Sequence, residues 1–210
     1  MVALNYLNDL PGPETGTEGR RERKKRATAH RIFRSAIELM QKDGFDGVTI
    51  EQICEKADVA RATFFKHFPN KAALMGFFTT VVCFRLENEL NASDSDATAR
   101  LHMVADHLER LTSELGAVAR DMMSAFIADP GVDFHIDEPN MGISRIVVAI
   151  IRDGQAEGTF SEEWTPEDVA ITLVASWVAL GRQRISDPKH FKDKHYRKAL
   201  DLLLSGIRAR

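Results

Sequence analysis

The sequence predicts an all-α protein, and three observations support this fold class. Apolar residues recur at helical spacing along most of the chain, and no segment shows the strict alternation expected of a half-buried strand. Helix-start signals are frequent, in which a Ser or Thr precedes an apolar run. Glycines stand where periodic segments end, as Gly44 and Gly158 do. With 210 residues, the chain is long enough for an extensive apolar core.

Composition places the chain among ordinary globular proteins. Apolar residues make up 44% and charged residues 28%, which argues against a disordered protein. No apolar run approaches the roughly 20 residues needed to span a bilayer, and the N-terminus lacks the features of a secretory signal. Two cysteines, Cys54 and Cys83, are too few for a disulfide framework and indicate a reducing compartment. We therefore expect a cytoplasmic protein without a membrane partner.

Charge is distributed unevenly along the chain. Residues 20–71 contain 13 Lys or Arg against 7 Asp or Glu, whereas residues 72–210 contain 15 against 21. The densest basic run is RRERKKR, at residues 20–26. A basic N-terminal third on an acidic body indicates that one end of the protein faces a polyanion, although the basic run by itself is equally typical of a solvated helix.

The N-terminal third predicts a tail followed by closely spaced helices. Residues 1–19, with two prolines and three glycines, are expected to form a flexible tail. A capping box at Thr49 and Gln52 opens the second helix, and Pro69 ends the third. The predicted helices span residues 20–42, 50–57, 60–67 and 70–90.

The second and third of these helices form a predicted helix-turn-helix, because they are short, joined by a tight turn and backed by a longer helix. In that arrangement Phe64 and Phe68, four residues apart, anchor the third helix against the first two. The opposite face of the third helix is then free to enter a DNA major groove. This face carries Arg61, Thr63, Lys66 and His67.

The remainder of the chain is predicted to be helical as well. A polar segment at residues 92–99 precedes a helix whose apolar face begins at Leu101, and residues 129–142 are too rich in Pro, Gly and Asp to be helical. Thr165, followed by a proline and two acids, gives a strong helix start. The predicted helices are one around residues 101–111, a second that ends near residue 128, and others at residues 143–157, 166–185 and 196–207.

The last two helices are rich in apolar residues. They offer more apolar surface than one small domain can hide, which indicates that a second copy of the chain covers part of it. We expect Leu200 and Leu203 to lie in the resulting dimer interface.

One segment resembles the signature of the tetracycline-repressor (TetR) family of bacterial transcription regulators: GFDGVTIEQICEKADVARATFFKHFPNKAAL. The shared pattern is Gly-Phe before a Thr-capped helix, then a turn, a recognition helix with Thr and spaced aromatics, and a Lys that opens the fourth helix. The resemblance covers residues 28–75 and, more loosely, the penultimate helix. It implies an Ω-shaped, all-helical homodimer with a DNA-binding domain at residues 20–70 and a ligand-binding and dimerisation domain at residues 71–210.

The resemblance assigns phosphate contacts to named residues. Thr49 matches a position that caps the second helix and touches phosphate, and Lys71 matches a phosphate-contacting position at the start of the fourth helix. A compact ammonium suits such a contact, since it binds phosphate without reading sequence. Lys66 and His67 match further contact positions, and we expect His67 at a phosphate.

Base reading is assigned to the start of the third helix. Arg61, Ala62 and Thr63 match positions that reach base edges, where Arg61 can read guanine bidentately and Thr63 can read a base or a thymine methyl. Ala60 departs from the family's Ser or Thr, so the helix lacks its usual cap. Phe65 departs from a frequent Tyr; either it packs against a sugar or thymine methyl, or it belongs to the core.

Candidates for a small-molecule pocket come from the C-terminal helices. They combine soft apolar side chains with one polar group, although most of them equally suit an ordinary core. A second group, His102, Asp106 and Glu109, shares one helix face and suits either a metal site or a solvated polar face. We predict neither a metal nor a cofactor. The pocket candidates are Met103, His107, Met122, Phe126 and Trp177.

Together these features predict a ligand-responsive transcriptional regulator, and more specifically a repressor. As a dimer it binds a palindromic operator in double-stranded DNA, and a small, largely apolar effector releases it. One alternative is an architectural DNA-binding protein without ligand control. The other is an all-helical enzyme with an unrecognised site, which is disfavoured because the chain contains no phosphate-binding loop, dinucleotide fingerprint, G-x-S-x-G or H-E-x-x-H motif.

Overall fold

The computed structural model describes residues 19–128, 142–187 and 195–207. Every regular element in these ranges is an α-helix, which confirms the predicted fold class. None of these helices is long and apolar enough to cross a membrane. Apart from Gly19 and Gly142, the predicted tail and the predicted loop at residues 129–142 lie outside the described residues. The helices are α1 (Arg20–Asp43), α2 (Ile50–Ala57), α3 (Arg61–His67), α4 (Leu74–Asn91), α5 (Ala97–Ala128), α6 (Ile143–Ala156), α7 (Pro166–Ser186) and α8 (His195–Ile207).

The chain divides into two compact units. The first unit holds the described residues of Met1–Val82 and Leu115–Val132, and the second holds those of Cys83–Glu114 and Asp133–Arg210. Helices α4 and α5 therefore each contribute residues to both units.

Helix α1 ends, and helix α2 begins, at the predicted signals. Gly44 follows α1 with a φ of 76°, in the left-handed region that favours glycine. The capping box of α2 is complete, because the Thr49 hydroxyl accepts from the Gln52 N–H at 3.2 Å and the Gln52 side chain accepts from the Thr49 N–H at 2.8 Å. The buried apolar residues of α1 are Ala29, Ile32, Phe33, Ala36, Ile37 and Met40.

An aromatic cluster, rather than a cap, holds α3 in the first unit. Asp58, with a φ of 49°, makes the turn before it, and Ala60 at the N-cap position makes no side-chain hydrogen bond, as expected. Phe64 is fully buried and its ring centroid lies 5.7 Å from that of Phe68. Phe68 in turn meets Phe77 of α4 edge-on at 5.6 Å. The prediction that Phe64 and Phe68 lie in the core is therefore confirmed.

Helix α5 is longer than the sequence predicts. The expectation of two successive helices in this segment is wrong, because one helix of 32 residues spans it. No proline interrupts the segment. A glycine such as Gly116 costs only about 1 kcal/mol in a helix interior, which is too little to end so long a helix.

The ends of α6 and α7 agree with their sequence signals. Gly158 follows α6 with a φ of 74°. The Thr165 hydroxyl caps α7 by accepting from the Asp168 N–H at 3.1 Å. Helices α7 and α8 are joined in the core of the second unit, where the indole N–H of Trp177 donates to the Tyr196 carbonyl at 3.1 Å.

The polar face of α5 is half-buried and forms ion pairs with α7 and α8. Arg197 of α8 donates to both carboxylate oxygens of Asp106 at 2.6 Å. His102 lies 3.5 Å from a carboxylate of α8, and Glu109 forms an ion pair with Arg184 of α7. In the described part of the chain, no group of three His, Cys, Asp or Glu is placed to hold a metal ion. Of the two alternatives, the structure agrees better with a polar face, which stays partly exposed to solvent and pairs with α7 and α8.

Gly154 of α6 occupies a position where a larger residue does not fit. A Cβ there would overlap the ring of Phe160, which is buried, and lie 2.8 Å from Ala97 Cβ. Gly154→Ala should therefore lower the free energy of unfolding by about 1–3 kcal/mol. Gly206→Ala is the control, since nothing lies within 4 Å of its Cβ position, and it should raise stability by roughly 0.5–1 kcal/mol. Chemical denaturation measures both, and an unchanged midpoint for Gly154→Ala would contradict this packing.

Candidate nucleic-acid interface

The outward face of α3 presents polar and aromatic side chains to solvent. Phe64 and Phe68 fix the orientation of the helix because they are buried in the first unit. The predicted contact residues on α3 therefore lie on the side that the core leaves accessible. Of these, Arg61, Ala62, Phe65 and Lys66 are exposed, whereas Thr63 and His67 are half-buried.

Arg61 is held by two neighbours that sequence reasoning missed. Its Nη1 lies 2.8 Å from Oε1 of Glu51 on α2. Its guanidinium carbon lies 5.5 Å from the ring centroid of Phe65, within cation–π range. The spacing of Arg61 and Phe65, four residues apart on one helix, is the one sequence signal for this arrangement.

Phe65 is not part of the core. Its side chain is 41% exposed. Its ring packs edge-on against Phe64, with centroids 5.6 Å apart and an interplanar angle of 83°. Of the two alternatives that the sequence leaves open, the structure contradicts burial, because α3 turns Phe64 rather than Phe65 inward. A contact between Phe65 and a sugar or thymine methyl stays a prediction.

Lys71 is tied to the loop between α1 and α2. Its Nζ donates to the Phe45 carbonyl at 2.5 Å and to the Val48 carbonyl at 2.8 Å, and it lies 4.3 Å from the Phe45 ring centroid. We call this arrangement the Lys71 clamp. Burial lowers the pKa of Lys71, and the charge of Asp46 opposes that shift. An ammonium has three N–H groups, so one remains for the predicted phosphate contact.

Thr49 lies directly after the loop that the Lys71 clamp holds. It is exposed, and its oxygen caps α2. The hydroxyl proton is left to donate to a phosphate, because the cap uses the oxygen only as an acceptor. The predicted capping role of Thr49 is confirmed, and its phosphate contact stays a prediction.

The basic start of α1 lies near the end of α3. Residues 20–25 are helical and exposed. Burial, followed by the positive charges of Lys25 and Lys66, lowers the pKa of His67. His67 is therefore neutral at pH 7, and a ring N–H can donate to a phosphate. The two lysines place positive charge beside the neutral His67, which suits binding of a polyanion.

The pocket candidates in the second unit belong to its core. Met103 packs against that core, and Trp177 is buried with its indole N–H bonded to Tyr196. His107 is fully buried, and its Nδ1 lies 3.2 Å from Glu89 Oε2. Burial lowers the pKa of His107, so the ring is neutral at pH 7. The side chains of Met122 and Phe126, the other two candidates, lie outside the described residues.

The chain resembles bacterial transcription regulators in sequence. A family model described as bacterial regulatory proteins of the tetR family matches residues 32–76. The transcriptional repressor KstR of Mycolicibacterium smegmatis is 25% identical over 179 residues, which cover 80% of this chain and 83% of KstR.

Solved structures share the fold along most of the chain. The fatty acid degradation regulator FadR from Bacillus halodurans has a TM-score of 0.65 at 16% identity, with 85% of this chain and 98% of that chain covered. RolR in complex with resorcinol has a TM-score of 0.61 at 20% identity, with 90% and 92% covered.

The fold and the outward face of α3 define a helix-turn-helix DNA-binding protein. Residues 32–76 carry the DNA-binding domain of the tetR family of bacterial regulatory proteins, and a relative that the chain resembles along most of its length is a transcriptional repressor. Because the family and its named members are regulators, the alternative of an all-helical enzyme is set aside.

Proposed function

We propose that the protein is a repressor that binds a palindromic operator as a homodimer and is released by a small molecule. The position of α3 carries the proposal. Phe64 and Phe68 are buried, whereas Arg61, Ala62 and Lys66 stay exposed on the opposite side. A helix presented in this way enters the major groove, where Arg61 and its neighbours reach base edges.

Phosphate contacts set the register of α3 on the duplex. Thr49, Lys66, His67 and the free N–H of Lys71 supply these contacts, and the basic excess of residues 20–71 adds a general attraction to DNA. We assign residues 20–70 to the DNA-binding domain and residues 71–210 to ligand binding and dimerisation.

The dimer interface is proposed on α7 and α8. Apolar side chains that the second unit does not bury favour a second copy as their cover. Leu202 is 77% exposed and Ile171 is 36% exposed, and Val174 and Val178 beside Ile171 are half-buried. We call these four residues the α7–α8 face.

The α7–α8 face differs from the interface expected from the sequence. Leu200 is fully buried in the core of the second unit, and Leu203 packs against the same core. The expectation that both leucines face a second copy is therefore wrong for Leu200. The helical period of α8 turns Leu200 inward and Leu202 outward.

Ligand control is proposed from the size and apolar character of the second unit. Its helices offer Met103, Trp177 and several Val and Leu side chains, with His107 as a polar group. The structural relative RolR was solved with resorcinol, which supports a small-molecule effector for this chain as well. We propose a largely apolar effector with Met103, His107 and Trp177 as its candidate contacts in the second unit. The other two predicted contacts, Met122 and Phe126, belong to the first unit and stay predictions.

Helix α4 offers a route for coupling, because it runs continuously from Leu74 in the first unit to Asn91 in the second. An effector weakens operator binding only if it binds the DNA-incompetent arrangement more tightly. By linkage, the operator must then weaken effector binding by the same factor. A typical coupling of about 1–3 kcal/mol corresponds to a 5- to 150-fold change in affinity.

Calorimetric titration tests this coupling directly. A compound found to release the operator should bind the operator-bound protein roughly 5- to 150-fold more weakly than the free protein. The Arg61→Ala/Lys66→Ala variant is the control, since it should bind the operator more weakly than the wild type, and the operator should therefore lower its affinity for the compound less. If the wild type binds the compound equally tightly with and without the operator, control by that compound would be contradicted. Operator binding that no compound in a broad metabolite screen weakens would favour the architectural alternative.

A further inference from the structure

We propose that Glu51 and Phe65 are specificity-determining positioning residues that hold the Arg61 guanidinium for base reading. This inference deepens the proposed function and rests on α3 being the DNA-reading helix. It gives a role to Glu51, an acidic side chain on a basic surface, and to Phe65, an exposed aromatic ring.

The two contacts restrain Arg61 from two directions. Glu51 Oε1 lies 2.8 Å from Arg61 Nη1, and the guanidinium carbon lies 5.5 Å from the Phe65 ring centroid. Phe65 itself packs edge-on against Phe64, which is fully buried. A chain of contacts therefore connects the core of the first unit to the guanidinium.

The remaining hydrogen-bonding capacity of Arg61 suits base recognition. A guanidinium carries five N–H donors in a fixed plane, and the Glu51 carboxylate accepts on one nitrogen. The other donors can still bind the O6 and N7 acceptors of a guanine. A free arginine side chain must lose its rotamer freedom on binding, whereas one that is already oriented loses less.

The charge of Glu51 gives the inference a distinctive consequence. A carboxylate near phosphates weakens general DNA binding, since it opposes the basic charge of the interface. Glu51 is also favourable in the first turn of α2, whose dipole attracts an acid there, but that effect has no bearing on base preference. General affinity and base discrimination should therefore change in opposite directions when the charge of Glu51 is removed.

The experiment compares Glu51→Gln with Glu55→Gln, which removes the same charge from an exposed site one turn later on α2. Affinities are measured for the selected operator, for an operator with a transversion at the Arg61-dependent base pair, and for random duplex DNA. Both variants should bind random DNA more tightly than the wild type. Only Glu51→Gln should lower the ratio of the affinities for the selected and the transverted operator, by about threefold or more. A complete bidentate contact supplies a ratio of about 5- to 150-fold.

Four further variants separate orientation from other effects. Glu51→Asp keeps the charge but shortens the side chain, so it should also lose discrimination. In an Arg61→Ala background, Glu51→Gln should cause no further loss of discrimination, because both changes remove the same interaction. Phe65→Leu should lose discrimination at the same base pair, and Phe65→Tyr, which keeps the ring, should retain more of it.

The outcomes distinguish this inference from the proposed function. Undiminished or sharper discrimination by Glu51→Gln would show that Glu51 competes with the base, and it would overturn the inference. A loss that persists in the Arg61→Ala background would overturn it as well, since Glu51 would then act without Arg61. A wild-type protein without any sequence preference would instead defeat the proposed function.

Discussion

The Ile171→Asp/Leu202→Asp variant should be a folded monomer, in contrast to a dimeric wild type. Both side chains are exposed in the single chain, so aspartate costs the isolated fold little. In a dimer the same change places unpaired charges in an apolar interface, which carries a large penalty. Sedimentation equilibrium measures the mass, and circular dichroism reports whether the helices persist.

Loss of the dimer should also abolish tight operator binding. Two linked recognition helices bind two half-sites with an avidity that exceeds either affinity by about 100- to 10,000-fold, and a monomer forfeits this gain. Phe84→Asp is the matched control, because Phe84 is 40% exposed on α4, outside the α7–α8 face. A double variant that remains a dimer with wild-type operator affinity would place the interface elsewhere.

Lys71→Met should weaken both the fold of the first unit and its binding to DNA. The substitution leaves the Phe45 and Val48 carbonyls without the ammonium donor, so the free energy of unfolding should fall by about 1–3 kcal/mol. Binding should weaken for every DNA sequence alike, because the predicted contact of Lys71 with a phosphate does not depend on the base. The Lys71 clamp also positions the loop before Thr49. The salt dependence should lose about one unit of slope if the third N–H meets a phosphate.

Comparison with Lys66→Met separates the two roles of Lys71, which are to stabilise the fold and to contact a phosphate. Lys66 is exposed on α3, so its loss should leave stability within about 0.5 kcal/mol of the wild type while it weakens DNA binding. Thermal denaturation and salt-dependent binding of both variants give the comparison. Equal stability of Lys71→Met and the wild type would show that the clamp contributes nothing to the fold. An altered base preference in Lys71→Met would contradict its sequence-blind role.

Local patterns made much of the DNA-binding unit predictable. The capping box of α2 involves residues three apart, and the burial of Phe64 and Phe68 follows from a spacing of four on one helix. Such signals depend only on residues that are close in sequence, so they can be recognised without knowledge of the tertiary structure. The uninterrupted course of α5 was harder to predict, because its apolar pattern is weak beyond Leu111 and its one interior glycine does not end the helix.

Contacts between distant segments could not be predicted from local sequence patterns. The Lys71 clamp joins residues 26 and 23 positions apart, and Arg197 meets Asp106 across 91 positions. The position of Lys71 just before α4 predicts a phosphate contact but does not predict the two carbonyl oxygens that accept from its ammonium. For the same reason the ion pair between Arg61 and Glu51 depends on how α2 and α3 cross, which the sequence does not state.

The proposed function requires that α3 reads a symmetric operator through Arg61. Selection from random duplex DNA, run in parallel with the wild type and Arg61→Ala, tests it most directly. The wild type should enrich dyad-symmetric sites with half-site centres about one helical turn apart, roughly 34–36 Å. Arg61→Ala should relax one symmetric pair of positions by about 1–3 kcal/mol and keep the others. Enrichment of no symmetric site, or an identical site preference in the two selections, would contradict the claim.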